Sequence, residues 1–298
     1  MNDPATFRAG FAALVGRPNV GKSTLLNALV GVKLAIVTPK PQTTRNRIVG
    51  IRTLPEGQVI FLDTPGIHDA RSTLNRRMVD VARKALGDAE VAVWVVDARA
   101  GLGGGERYLG KMLAEVAHPT IVVLNKSDAI ARPKLLPLMA EVGAMLPGRE
   151  VIPASAKTGD NVDLVMRTVV AALPEGPRIY PEDELTAEPE RFLVQEMVRE
   201  QLFLQMAEEI PYGTAVVVDS FSEQRDRGLL VIKATILVDR ESHKGIVIGS
   251  GGQQLKEIGR RARLELEAFF DTRVFLELYV RVERDWAENP RRLKELGL

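Results

Sequence analysis

Phe11-Ala12-Ala13-Leu14-Val15-Gly16-Arg17-Pro18-Asn19-Val20-Gly21-Lys22-Ser23-Thr24-Leu25-Leu26-Asn27-Ala28-Leu29-Val30 joins an apolar run, a loop bounded by glycines and a helix-like run. That order is the strand, loop and helix of a phosphate-binding P-loop, spanning Gly16 to Ser23. A polyphosphate must lose its water and be held by several donors at once. The backbone N–H groups of the loop and the positive end of the following helix supply them. Gly16 and Gly21 let the chain turn without a Cβ, Lys22 reaches toward the β- and γ-phosphates, and the Ser23 hydroxyl is placed to ligate Mg²⁺. Val20 and Thr24 complete the lining of the loop.

At 298 residues the chain exceeds what one compact core usually holds, so two domains are expected. It contains no cysteine, which excludes a disulfide framework and a thiolate metal site. No apolar run approaches the ~18 residues of a membrane span, and no signal-peptide pattern opens the chain, so a cytoplasmic protein is the expectation. The net charge of +1 hides an asymmetry: after Tyr180 there are 17 Lys and Arg against 23 Asp and Glu, so that part carries −6 and the first part +7. Nucleic-acid binding by the second part therefore needs a local basic surface.

From residue 11 to about 173, β-rich apolar runs alternate with helical patterns, which predicts a doubly wound α/β domain. The strand candidates are Phe11–Val15, Ile48–Thr53, Val59–Asp63, Val91–Val96, Ile121–Asn125 and Val151–Ala154. Helical patterns fall near Leu74–Leu86, Glu106–Val116, Lys134–Met145 and Val162–Leu173. A ligand of such a domain sits at the carboxyl ends of the strands, and the remaining chemistry lies there. Asp63-Thr64-Pro65-Gly66 offers a carboxylate for Mg²⁺ and a Gly66 N–H for a γ-phosphate. Asn125-Lys126-Ser127-Asp128 offers guanine a carboxylate, Asp128, that accepts from both N1–H and the exocyclic amine, a donor pair that adenine lacks. Asn125 braces that site and the Lys126 stem packs over the base. In Ser155-Ala156-Lys157, the Ala156 N–H is expected on guanine O6.

These motifs, in this order, make residues 11 to about 173 similar to a translation-factor-class GTPase domain. The resemblance implies GTP and GDP as ligands with Mg²⁺, and places Lys22, Thr44 and Gly66 at the transferred phosphoryl group, with Ser23, Thr44 and Asp63 on the metal. Pro41-Gln42-Thr43-Thr44-Arg45 becomes switch I, with Thr44 the metal-closing threonine and Thr43 its alternative. One departure bears on rate. Many small GTPases have a water-orienting glutamine after the Asp-x-x-Gly motif, where this chain has Ile67, followed by His68. Slow intrinsic hydrolysis is therefore expected. Asn19 matches the residue that ligates K⁺ in potassium-activated relatives, with a plain loop hydrogen-bonder as the alternative.

The proline-rich acidic segment after Leu173 predicts an extended linker, then an amphipathic helix over Arg191–Glu209 and strands at Ala215–Val218 and Leu229–Val238. Gly245-Ile246-Val247-Ile248-Gly249-Ser250-Gly251-Gly252 leads into Gln253-Gln254-Leu255-Lys256-Glu257-Ile258, and a strand is expected over Arg273–Val282. This resembles the Gly-x-x-Gly loop and element order of an α+β KH domain of the bacterial type, whose loop backbone clamps about four nucleotides of a single strand. The usual basic residue inside the loop is missing. Lys244, Lys256, Arg260, Arg261 and Arg263 against Glu257 give a local +4 in its place, and with Ile248, Gly249, Ser250, Gly251 and Gly252 they form the expected RNA-binding set. A packed helix is expected over Trp286–Leu298.

A GTPase domain over 1–175, a linker over 176–190 and a KH domain over 191–298 together resemble the Era family of bacterial ribosome-assembly GTPases. That resemblance implies binding to the 3′ end of 16S rRNA, a role in 16S rRNA processing and in 30S subunit assembly, a monomer, and for some members a peripheral place at the inner membrane face. Two other readings stay open: an RNA-binding protein for which GTP is mainly a conformational ligand, and a membrane-associated signalling GTPase.

Overall fold

The computed structural model describes residues 7–41, 43–67, 73–207, 209–296 and 298. Gln42 and His68, both named above, lie outside them. The chain divides into two compact units, the first reaching Ala187 and the second comprising Glu188–Leu298 together with Ile36–Thr43.

In the first unit the order is β1 (Arg8–Val15), α1 (Lys22–Val30), β2 (Ile48–Leu54), β3 (Gly57–Asp63), α2 (Thr73–Asp88), β4 (Val91–Asp97), α3 (Gly104–Ala114), β5 (Thr120–Asn125), α4 (Arg132–Met145), β6 (Val151–Pro153) and α5 (Val162–Ala172). The described residues form a six-stranded sheet in the order β2-β3-β1-β4-β5-β6. The strands read as continuously apolar are buried on both faces, β3 and β5 along their whole length. The sheet is mixed, because β2 pairs antiparallel with β3 across a tight Pro55-Glu56 turn too short for a crossover helix. Trp94, Val96, Val122 and Leu124 pack against Leu86, Leu109, Leu113 and Val142 from α2, α3 and α4. Since the chain winds from β1 to β3 on one side and to β4–β6 on the other, the carboxyl ends of β1, β3, β4 and β5 meet at one crevice.

The segment expected as an extended linker is tied down up to Ala187. The Gln58 carboxamide accepts from the Ile179 and Tyr180 N–H groups, both at 2.8 Å, and donates to the Tyr180 carbonyl at 2.9 Å. The Ile51 N–H donates to Leu185 O at 2.8 Å, satisfying part of the edge that β2 leaves open.

The second unit runs α6 (Glu190–Gln205), β7 (Thr214–Gln224), β8 (Leu229–Val238), α7 (Glu241–Ile248), α8 (Gln253–Phe270), β9 (Arg273–Val282) and α9 (Pro290–Glu295). Its sheet, β7-β8-β9, has β8 and β9 parallel. Val194, Met197 and Leu202 of α6 and Ile258, Ala262 and Leu266 of α8 cover one face. Helix α6 ends at Gln205, four residues earlier than its apolar pattern suggests, and α9 is shorter than expected because Trp286 sits in a separate 3₁₀ turn. Within this unit the Val37 N–H donates to the buried Glu200 carboxylate at 2.8 Å.

Candidate nucleotide site and nucleic-acid interface

The P-loop leaves β1 at Gly16, and α1 begins at Lys22 with Gly21 before it at φ 96°. A Cβ on Gly21 would lie 2.3 Å from Asn125 Nδ2, so both the backbone angle and the approach of Asn125 require glycine there. No acidic side chain occupies the first turn of α1, leaving its positive end to an anion. Val20 is buried beneath the loop, and Asn19 is exposed with a left-handed backbone at φ 63°. Thr24 is half-buried in the first turn.

Lys22 is buried and its ammonium donates to Arg17 O at 3.0 Å and Gly16 O at 3.3 Å. Two backbone carbonyls hold the charge that a bound phosphate would take over. Burial pulls Lys22 down to about 8 against the opposing pull of Asp63. Burial likewise pushes Asp63 up to about 6, against Lys22 and the hydroxyls of Ser23 and Thr44.

Ser23, Asp63 and Thr44 converge. The Ser23 hydroxyl lies 2.6 Å from Asp63 Oδ2 and 2.9 Å from Thr44 Oγ1. Asp63 Oδ1 is buried with no hydrogen-bond partner among the described residues. Two hydroxyls and a carboxylate with an unpaired oxygen are the hard donor set that Mg²⁺ takes. Thr43, the alternative, is engaged elsewhere: its hydroxyl lies 2.6 Å from Thr38 Oγ1 and donates to Lys40 O at 2.8 Å. Gly66 follows Asp63 so closely against the P-loop that a Cβ would lie 2.5 Å from Pro18 N. Ile67 is buried, its N–H on Gly16 O at 3.1 Å, so it contributes packing rather than a contact to water.

At the base end, Asn125 Nδ2 donates to Val20 O at 2.9 Å, bracing the P-loop as expected. The Ala156 N–H, expected on guanine O6, donates to Asn125 Oδ1 at 3.0 Å. Asp128 is exposed, with Oδ1 fixed by the Ser155 hydroxyl at 2.7 Å. The penalty for a mismatched base therefore arises only once the base covers Asp128. Lys157 is exposed. The sequence reading missed Asp97 at the end of β4: its Oδ2 lies 2.7 Å from Lys126 Nζ, which also donates to Asn19 O at 2.5 Å. The only signal for it is its position at a strand end.

In the second unit α7 ends at Ile248, and the chain turns through Gly249, Gly251 and Gly252, all at positive φ, into α8. A cavity of about 560 Å³ beside this turn is lined by Gly252, Lys256, Gly259, Arg260 and Arg263 and by Leu276 to Leu278 of β9. Ser250 and Gly251 are exposed at the turn. Lys244, Ile248 and Arg261 are not part of the lining. The local charge is also lower than counted, because Glu257 accepts from Arg260 at 2.8 Å and from Arg261 at 2.7 Å. Those two guanidinium groups hold its carboxyl at about 2. The β9 wall was missed because nothing in its alternation ties it to the glycine turn.

Residues 11–126 match the family described as 50S ribosome-binding GTPase, and residues 209–287 match the KH domain. The chain is 51% identical to GTPase Era of Geotalea daltonii and 46% identical to that of Heliobacterium modesticaldum, covering 98% and 97% of both partners respectively. Its structure resembles that of Aquifex aeolicus Era bound to GDP·AlF4⁻, with a TM-score of 0.94, 41% identity and coverage of 97% and 99% of the two chains. It resembles equally, at TM-score 0.94 and 41% identity over 98% and 99%, Era in complex with MgGDPNP and nucleotides 1506–1542 of 16S ribosomal RNA. With relatives this similar along nearly the whole chain, this chain, which carries a P-loop, an Asn-Lys-x-Asp strand end and a glycine turn beside a basic groove, belongs to the Era family of GTPases.

Proposed function

We propose that this GTPase binds the 3′ end of 16S rRNA in the groove between α8 and β9, and that its nucleotide state sets the affinity for RNA during 16S rRNA processing and 30S subunit assembly. The observation that carries this is one chain holding both a P-loop at which Ser23, Asp63 and Thr44 converge and a groove in which Lys256, Arg260 and Arg263 flank an open glycine turn. The relative crystallised with a 16S rRNA fragment supports the choice of RNA.

The reaction follows from the first unit. The P-loop amides and Lys22 bind the β- and γ-phosphates, and Ser23, Asp63 and Thr44 hold Mg²⁺, which neutralises charge on the transferred group. Asn125, Lys126 and Asp128 orient guanine. The buried, apolar Ile67 cannot orient the attacking water, so slow turnover without a further contribution is part of the proposal. K⁺ beside Asn19 is part of the proposal, as a source of the missing positive charge.

GTP and ribosomal RNA are cytoplasmic, which supports a cytoplasmic place for this activity; a monomer and a peripheral place at the inner membrane face are proposed from family resemblance. GTP turnover measured with and without a 3′-end fragment of 16S rRNA tests the coupling: a changed rate and GTP-dependent RNA affinity are expected. Equal rates with intact RNA binding would leave GTP as a conformational ligand only.

A further inference from the structure

The KH unit has a second surface that the glycine groove does not use. On β9, Phe275 and Tyr279 are 53% and 48% exposed, although both are large apolar-bodied side chains on a strand. Their neighbours Leu276 and Leu278 point the other way, into the core and the groove. The cross-strand register pairs Phe275 with Val231, Glu277 with Lys233 and Tyr279 with Thr235, so the two aromatics stand on the open face of the sheet on either side of Glu277. At ~3.3 Å per residue they are about 13 Å apart.

The rest of that face is mixed: Val231 lies opposite Phe275, Val217 lies beside Thr235, and charged and hydroxyl side chains separate the two aromatics. Lys233 is bonded to Glu277 at 2.9 Å, and Asp219 accepts from Thr235 at 2.7 Å, so both carboxylates are already engaged. Arg273 and Arg281 are exposed at the two ends of β9. Separated aromatics interrupted by charged and hydroxyl side chains do not make the contiguous apolar patch of a protein interface. They suit unstacked bases, each of which has a face to lay on a ring while its phosphate meets water or a cation.

Continuity selects the occupant. β9 is the edge strand of its sheet, and Leu276, Glu277 and Leu278 form one wall of the groove beside Gly252. A strand of RNA leaving that groove over β9 meets Phe275 and Tyr279 next. Resting on the RNA-binding role proposed above, we propose that the open face of the β7-β8-β9 sheet is a stacking platform, with Phe275 and Tyr279 each taking a base of the single-stranded RNA that runs out of the glycine groove.

The test compares two RNAs from the 3′ end of 16S rRNA, one of about five nucleotides, enough to fill the clamp, and one of about twelve. Phe275→Ala and Tyr279→Ala should each weaken the longer RNA about tenfold and leave the shorter unchanged, with the salt dependence of binding unaltered because stacking neutralises no phosphate. Tyr279→Trp keeps the ring and should retain affinity, with emission quenched by the longer RNA only. The platform is overturned if both alanine variants bind the longer RNA like the parent, if they lose both RNAs equally, or if the parent binds the two lengths equally. A parent that binds neither RNA overturns the RNA-binding role itself, and the platform with it.

Discussion

The Lys126 ammonium lies 2.7 Å from the Asp97 carboxylate, and through this contact the last residue of β4 fixes the lysine whose stem we propose packs over guanine. Arg99 binds the same carboxylate at 2.8 and 3.1 Å. Asp97→Asn keeps the shape and removes the charge. GTP affinity should fall by about fivefold, a little under 1 kcal/mol per contact for a partly exposed pair, with KM rising and kcat unchanged. Steady-state kinetics checks it.

The same carboxylate makes a pH prediction. Burial raises the Asp97 pKa, but its hydrogen bonds to Arg99 and Lys126 outweigh this and hold it at about 2, below its ordinary 3.8. A depressed folded-state pKa means stability that is present above about 3.8 and lost as pH falls toward 2. Acid unfolding of Asp97→Asn should therefore be flatter than that of the parent across that window.

Thr44 and Thr43 are adjacent, but only the Thr44 hydroxyl meets Ser23. Thr44→Ala should lower kcat at least tenfold and raise the Mg²⁺ concentration needed, whereas Thr43→Ala, which removes a loop contact, should change either by less than about threefold. Mg²⁺ titrations of GTP turnover distinguish them, and equal effects would refute the choice of Thr44.

Asp128→Asn replaces an acceptor pair by an amide that cannot accept from both guanine donors. GTP should weaken by several kcal/mol while xanthosine triphosphate gains. ATP competing with GTP in the parent would contradict the assignment.

Asn19 is exposed beside the phosphate loop and carries the potassium hypothesis. Turnover in KCl should exceed that in NaCl at equal ionic strength, and Asn19→Ala should abolish the difference. Equal rates in the two salts leave Asn19 as a loop residue.

At the KH turn, Asp at both Ser250 and Gly251 puts two negative charges where phosphates pass and should abolish RNA binding while GTP affinity stays intact. Arg260→Ala should flatten the salt dependence by less than one phosphate contact, since Glu257 already offsets part of that charge. RNA titrations across a salt series measure both.

The sequence by itself determined the chemistry that short contiguous stretches carry. A loop that wraps phosphate needs its glycines, lysine and serine in fixed order, so Gly16 to Ser23, Asp63 to Gly66, Asn125 to Asp128 and Gly249 to Gly252 were each legible as motifs, and continuous apolar runs located the buried strands. Tertiary structure decided whatever depends on residues distant in the chain. It chose Thr44 over Thr43 by bringing it to Ser23, and it set Asp97 against Lys126, 29 positions away. It bound the segment before Ala187 to the Gln58 side chain and the edge of β2, and it built the groove wall from β9. It also paired Arg260 and Arg261 with Glu257, which a count of charges cannot foresee. Local backbone demands leave a pattern in the sequence, whereas convergence across a sheet depends on register and packing, which no single stretch encodes.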